Sequence, residues 1–209
     1  MSRIRCIATK FGAGATAVAL LVGGCGHDAP LGPPTPSGAT PLGGPPMTST
    51  PPPPPGWKPQ PAVPASQQQA QDTVIGYLRR TLQELPPGTT LDATRYSGGT
   101  NTVPCKDDTS GNPPQEFTTI GDLKPPPGTD TESLVVSAGD IWKRWGWYVY
   151  ERDGFYKPNR FGYAPDGYSL QIEARARPGE PPSLKATSPC FPADIPRDRT
   201  PFPAILAAE

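Results

Sequence analysis

The stretch Tyr168–Arg177, YSLQIEARAR, decides the reading of the fold. Tyr168, Leu170, Ile172, Ala174 and Ala176 alternate with Ser169, Gln171, Glu173, Arg175 and Arg177. A period of two places successive side chains on opposite faces of a strand. The pattern therefore predicts a sheet with one covered face and one wet face, as antiparallel sheets allow. Working outward, Pro165-Asp166-Gly167 is a turn signal, and Arg160 to Ala164 is a short strand before it. Further back, Trp147 to Arg152 is rich in aromatic and β-branched residues and stops at Asp153-Gly154. On the other side, Ser183 to Ser188 reads as a strand ending at Pro189-Cys190. Thr90 to Tyr96 and Phe117 to Leu123 are weaker strand candidates.

Two helices complete the pattern. Ser66-Gln67-Gln68-Gln69 fits a capping box, in which hydroxyl and amide satisfy free N–H groups reciprocally. Ala70, Val74, Tyr77, Leu78, Leu82 and Leu85 then recur at helical spacing until Pro86-Pro87-Gly88 stops the helix. A second start is read at Thr129 with Glu132 three residues on, and Leu134, Ala138, Ile141, Trp142 and Trp145 form its stripe. Lys143 and Arg144 favour the negative end of the helix dipole, and Gly146 suits the cap. The expected fold is α+β in two layers: an antiparallel sheet covered on one face by two helices and closed by one disulfide. Beyond Cys190 the proline-rich tail is expected to wrap the surface or fray.

The amino terminus has a different character. Arg3, Arg5 and Lys10 precede an uncharged apolar run from Phe11 to Val22, the layout of an export signal. That run is shorter than the ~20 residues needed to span a bilayer. Val22-Gly23-Gly24-Cys25 resembles the lipobox of bacterial lipoproteins, with an aliphatic residue three places before the cysteine and small residues between. The resemblance implies that Cys25 becomes the lipidated first residue of the mature chain. Several acyl chains at that point would supply the multiple apolar anchors that stable membrane attachment needs. The expected partner is thus the membrane, through a lipid anchor on the extracytoplasmic face.

From Gly26 to Pro64, 15 of 39 residues are proline, including the run from Pro51 to Pro55. Such a segment buries too little apolar surface to offset ordering entropy and prefers extended polyproline II. It reads as a stalk, or as a docking site for a proline-binding partner. The expected organisation is a signal peptide over 1–24, a lipidated cysteine and disordered tether over 25–64, one domain over 65–195 and a tail over 196–209.

Charge and cysteines narrow the function. The chain carries 19 basic and 19 acidic side chains, and three of the basic ones leave with the signal, so the mature chain has a net charge of −3. That lacks the basic face a nucleic-acid binder needs. Of four cysteines, Cys6 leaves with the signal and Cys25 takes lipid, so Cys105 and Cys190 remain as an even pair in an oxidising compartment. A disulfide between them closes a loop worth about 4–5 kcal/mol in the chain-entropy model.

The elements VPCKDD, WKRWGW, PDGYSLQIEARA and LKATSPCF resemble small lipoproteins of mycobacteria and related actinobacteria, with the layout of the LppA-like group. Cys105 and Cys190-Phe191 match the family's two core cysteines, while the long proline tether departs from it. The resemblance implies an exported cell-envelope protein of unknown biochemical role and brings no catalytic residues.

Little in the chain points to catalysis. The single histidine, His27, lies in the tether, so Ser-His or Cys-His chemistry has no positioned base. No Cys/His metal spacing exists, and neither a metal nor a cofactor is expected. The loop Lys106 to Asn112 offers oxygen ligands but lacks the alternating acids of a calcium loop, and reads as a solvated turn. Ser97 to Asn101 likewise reads as a turn. Glu116, Asp122, Asp140 and Glu151 are the carboxylates from which an envelope hydrolase would draw its acid pair. Ten aromatic residues crowd positions 142–168, and because strands alternate, Trp147/Val149 and Tyr148/Tyr150 face opposite ways. Trp147, Tyr148, Tyr150, Arg152 and Arg160 are therefore the candidate surface for an envelope protein or glycolipid.

Overall fold

The computed structural model describes residues 50–96, 100–105 and 111–208. The signal segment, Cys25, His27 and the first half of the tether lie outside the described residues, as do most of the 106–112 loop and Ser97 to Gly99.

Helix α1 spans Gln67–Glu84. The Ser66 hydroxyl accepts the Gln69 amide N–H at 3.1 Å, and the Gln69 side chain accepts from the Ala65 N–H rather than from Ser66 itself. Leu85 is extended because a residue before proline is excluded from the helical region, so Pro86 ends the helix one residue early. Helix α2 spans Thr131–Arg144, and its cap is Asp130, one residue beyond the Thr129 read from sequence. The Asp130 carboxylate accepts from the backbone N–H groups of Glu132 and Ser133, as an Asp N-cap does. Gly146, at φ +80°, closes the other end by donating to the Lys143 carbonyl.

The strands are β1 Thr90–Asp92, β2 Thr100–Pro104, β3 Gln115–Lys124, β4 Tyr148–Tyr150, β5 Asn159–Tyr163, β6 Ser169–Glu173, β7 Ser183–Thr187 and β8 Ile205–Leu206. They form one antiparallel sheet in the order β4-β5-β6-β7-β3-β1-β8. The long β3 pairs with β7 along one edge; β2 and β1 share its other edge at residues 115–119 and 122–124. Thus the fold is α+β, two-layered, with both helices on one sheet face and a Cys105–Cys190 disulfide.

Three details differ from the sequence reading. The first strand stops at Asp92, whose carboxylate accepts from the Thr94 N–H at 2.9 Å and turns the chain into a short 3₁₀ segment over Thr94–Tyr96. Strand β2 carries no clear alternation and escaped the reading. The tail takes the wrapping course rather than fraying, running beside α1, where the Gln71 amide donates to the Thr200 carbonyl, but it ends in an unexpected strand, β8, with Leu206 opposite Leu91. Prolines exclude the tail from the sheet interior, but Ile205 and Leu206 carry none and close the open edge beside β1. The folded unit therefore continues well past position 195.

The core lies between helices and sheet. Ala70, Val74, Leu78 and Leu82 of α1 and Leu134, Ala138, Ile141 and Trp142 of α2 pack on Phe117, Leu123, Leu170, Ile172 and Leu184. Each fully buried aliphatic side chain contributes about 1.5–3 kcal/mol relative to exposure. Gly162 permits the close approach of α2 to β5, since a Cβ there would stand 2.7 Å from the Trp142 ring. The disulfide joins the end of β2 to the chain leaving β7, with Cα atoms 6.3 Å apart, and so clamps the two edges of β3. Among the described residues no helix is long and apolar enough to cross a membrane.

Candidate functional site: the open face of the sheet

Strand register assigns each side chain to a face. Leu170 and Ile172 point at the helices, so their partners Gly162 and Arg160 share that side. The next row therefore faces away: Tyr148 opposite Tyr163, Tyr150 opposite Phe161, Phe161 opposite Gln171, and Gln171 opposite Lys185. This open face carries an aromatic cluster at the β4–β5 edge. Ring centroids lie 4.8 Å apart for Tyr148–Tyr150, 5.7 Å for Tyr150–Tyr163 and 6.1 Å for Tyr148–Tyr163. Phe155 stands edge-on to Phe161 at 4.8 Å. The Arg152 guanidinium lies over Phe161 at 4.9 Å and over Tyr150 at 5.7 Å, in cation–π geometry. Burial, with the neighbouring Tyr150 hydroxyl, pushes the Tyr163 phenol up to about 12.

Of the five residues singled out in the sequence, Tyr148, Tyr150 and Arg152 share this face. Trp147 and Arg160 do not. Trp147 is 5% exposed and packs edge-on against Tyr77 and Trp145 beneath the helices. Arg160 lays its stem across Gly139 of α2, where an added Cβ would come within 2.5 Å, and its guanidinium reaches Glu151 at 2.8 Å. Strand alternation separates Trp147 from Tyr148. Only the β5–β6 register puts Arg160 on the helix side.

Beside the cluster lies a depression of about 110 Å³ lined by Arg152, Phe161, Tyr163, Ser169, Gln171 and Lys185. Lys185 and Gln171 were not anticipated. Each sits at the polar position of its alternating strand, a signal that also marks ordinary solvated residues.

The tether ends differently from its composition. Pro54-Pro55-Gly56-Trp57 forms a turn in which the Trp57 N–H donates to the Pro54 carbonyl at 3.0 Å and Gly56 adopts φ +81°, as a type II turn requires. Trp57 packs on Tyr148 with centroids 5.4 Å apart, and the Tyr148 hydroxyl donates to the Pro51 carbonyl. Gln60 and Ala62 then donate backbone N–H groups to the carbonyls of Pro165 and Asp166 at 2.6 and 2.8 Å. Pro51 to Ala62, within the proline-rich segment, thus packs against the domain. Aromatic rings and free carbonyls give a polyproline strand the stacking and hydrogen bonds it cannot make with itself.

The carboxylates named in the sequence are bound up elsewhere. Asp122 holds Arg95 at 2.7 Å and Arg175 at 2.9 Å. Glu151 holds Lys157 and Arg160, and Asp140 pairs with Lys143 on α2. Asp92 stands opposite Asp122 in the register, but its bond to Lys124 at 2.5 Å, with those from Thr94, holds its carboxyl far below the usual range. A general acid must carry a proton, and Asp92 is poised not to. Glu116 lies beside the Cys105 and Cys190 sulfurs, close enough to form a three-ligand group with them. In the disulfide, however, neither sulfur is the thiolate that metal ligation uses.

Comparison with protein-family models, with curated proteins and with solved structures finds no match to this chain.

Proposed function

We propose that this chain is an exported lipoprotein, anchored through Cys25 on the outer side of the cell membrane, whose domain is a non-enzymatic binding module. Its ligand is an envelope protein or glycolipid taken on the open sheet face. The observation that carries this reading is the layer of Tyr148, Tyr150 and Tyr163, with Arg152 over Tyr150 and the adjoining Phe161, on the face the helices leave uncovered. Stacked rings with a cation above them suit sugar rings and headgroups, which present apolar C–H faces and polar rims. The lipobox-like Val22-Gly23-Gly24-Cys25, the proline-rich stalk and the resemblance to LppA-like mycobacterial lipoproteins support the location.

Two measurements test it. Intact-mass analysis of the native membrane protein is expected to find acyl chains on Cys25, and Cys25→Ala is expected to leave the membrane fraction. Full-length protein extracted in mild detergent is expected to retain envelope lipid or glycan, identified by mass spectrometry. A Tyr148→Ala/Tyr150→Ala variant of equal thermal stability should lose it. Equal retention by both forms rejects the aromatic face as the binding surface.

A further inference from the structure

We propose that the depression between β5, β6 and β7 is a binding site for a sugar phosphate, with the phosphate held between Arg152 and Lys185. The inference rests on the binding-module reading above and names the chemistry of its ligand.

The argument begins with charge pairing on this molecule. Arg95, Arg175, Lys124, Lys157 and Arg160 each have a carboxylate within 3.1 Å. Arg152 and Lys185 have no carboxylate partner among the described residues, yet both line the same depression. Phe161, Gln171 and Lys185 occupy one cross-strand row. Neighbouring strands are about 4.8 Å apart, so Lys185 stands roughly 10 Å from Phe161, over which Arg152 lies. Gln171 occupies the middle. Two cations facing each other across a polar floor repel until an anion enters, and a dianionic phosphate satisfies both.

The remaining lining selects what carries the anion. Tyr163 offers a half-buried ring at one wall, while the Ser169 hydroxyl and the Gln171 amide offer donors and acceptors on the floor. A ring with hydroxyl groups matches that combination better than a bare ion or an acyl chain does. The volume of about 110 Å³ corresponds to roughly three or four water molecules of liquid, enough for the phosphate and one edge of a sugar ring. The site therefore reads a terminal substituent and leaves the rest of the ligand over Tyr163 and Tyr150, beside the Tyr148 ring on which Trp57 packs.

Calorimetric titration of the full-length chain with glucose 6-phosphate, inorganic phosphate and glucose tests this. Saturable binding of glucose 6-phosphate, at least tenfold tighter than either other probe, is expected. Lys185→Met and Arg152→Gln should each weaken it tenfold or more with an unchanged unfolding midpoint, and Lys185→Arg should restore most of it. Sedimentation with phosphatidylcholine vesicles carrying phosphatidylinositol 4-phosphate, whose ring bears a terminal phosphomonoester, against phosphatidylcholine alone, distinguishes a lipid headgroup from a free sugar as the source; Lys185-dependent binding to either supports the site. Equal affinity for inorganic phosphate overturns the sugar, and binding indifferent to Lys185 and Arg152 overturns the anion. If those variants still retain envelope ligand while Tyr148→Ala/Tyr150→Ala does not, the binding face stands and the phosphate site falls. Absence of binding by every probe overturns the inference outright.

Discussion

The Trp142 indole N–H donates to the Thr81 hydroxyl at 3.1 Å, joining α2 to α1 across 61 residues of sequence. Both side chains are fully buried, and the Thr81 hydroxyl in turn donates to the Tyr77 carbonyl at 2.8 Å. The hydroxyl thus fixes how the two helices lie on the sheet. Thr81→Val keeps the shape but strands the indole N–H in an apolar site, which costs about 1–3 kcal/mol. Urea unfolding should show a lower midpoint with an unchanged slope, while Thr81→Ser stays within about 1 kcal/mol of the parent.

Gly162 is a second point of close approach. A Cβ there would meet the Trp142 ring at 2.7 Å and the Trp147 ring at 3.2 Å. Gly162→Ala is expected to destabilise the domain by about 1–3 kcal/mol, as overpacking does. Tryptophan fluorescence should change with it, because both affected rings are indoles. An unchanged unfolding midpoint would show that the helix has room to shift.

The proline strap should release without unfolding the domain. Trp57→Ala removes the ring contact with Tyr148, which leaves the backbone bonds from Gln60 and Ala62 between two remaining anchors, the Tyr148 hydroxyl bond to Pro51 and the buried Pro64. Hydrogen exchange at those two amides is expected to accelerate at least tenfold, while amides of β6 and β7 keep their protection. Acceleration spread evenly over the sheet would show that the strap belongs to the cooperative core.

Asp92 predicts an acid-side dependence. Its carboxyl titrates near 3.9 in an unfolded chain, and Lys124 and Thr94 hold it well below that in the native state. Between the two values the unfolded chain binds the extra proton, so stability rises with pH there. The contribution is complete above the unfolded value and disappears as pH falls through the native one. Asp92→Asn should therefore lower the urea midpoint at pH 6 and converge on the parent as pH drops below about 4. A constant gap between the two at all pH values would remove Asp92 from the account.

Much of the fold was legible because local rules and burial agreed. The alternation of Tyr168 to Arg177 gave β6 its faces, and Ser66 and Gly146 marked helix ends through hydrogen-bond needs that short stretches display. The site was legible only in part. Tyr148, Tyr150 and Arg152 stood out by residue type, but a surface is made by neighbours from several strands. Lys185 is 33 residues from Arg152, and nothing local to either announces the other.

By itself, the sequence determined the α+β class, the two helices and the pairing of Cys105 with Cys190, since periodicity, caps and cysteine number are properties of short segments or simple counts. Tertiary structure alone decided that Trp147 and Arg160 belong to the helix side, that Lys185 lines the same depression as Arg152, and that Pro51 and Trp57 lie against Tyr148. Those outcomes depend on strand register and order. One residue of slip would turn each side chain to the opposite face, and only the packing of the whole core fixes the register.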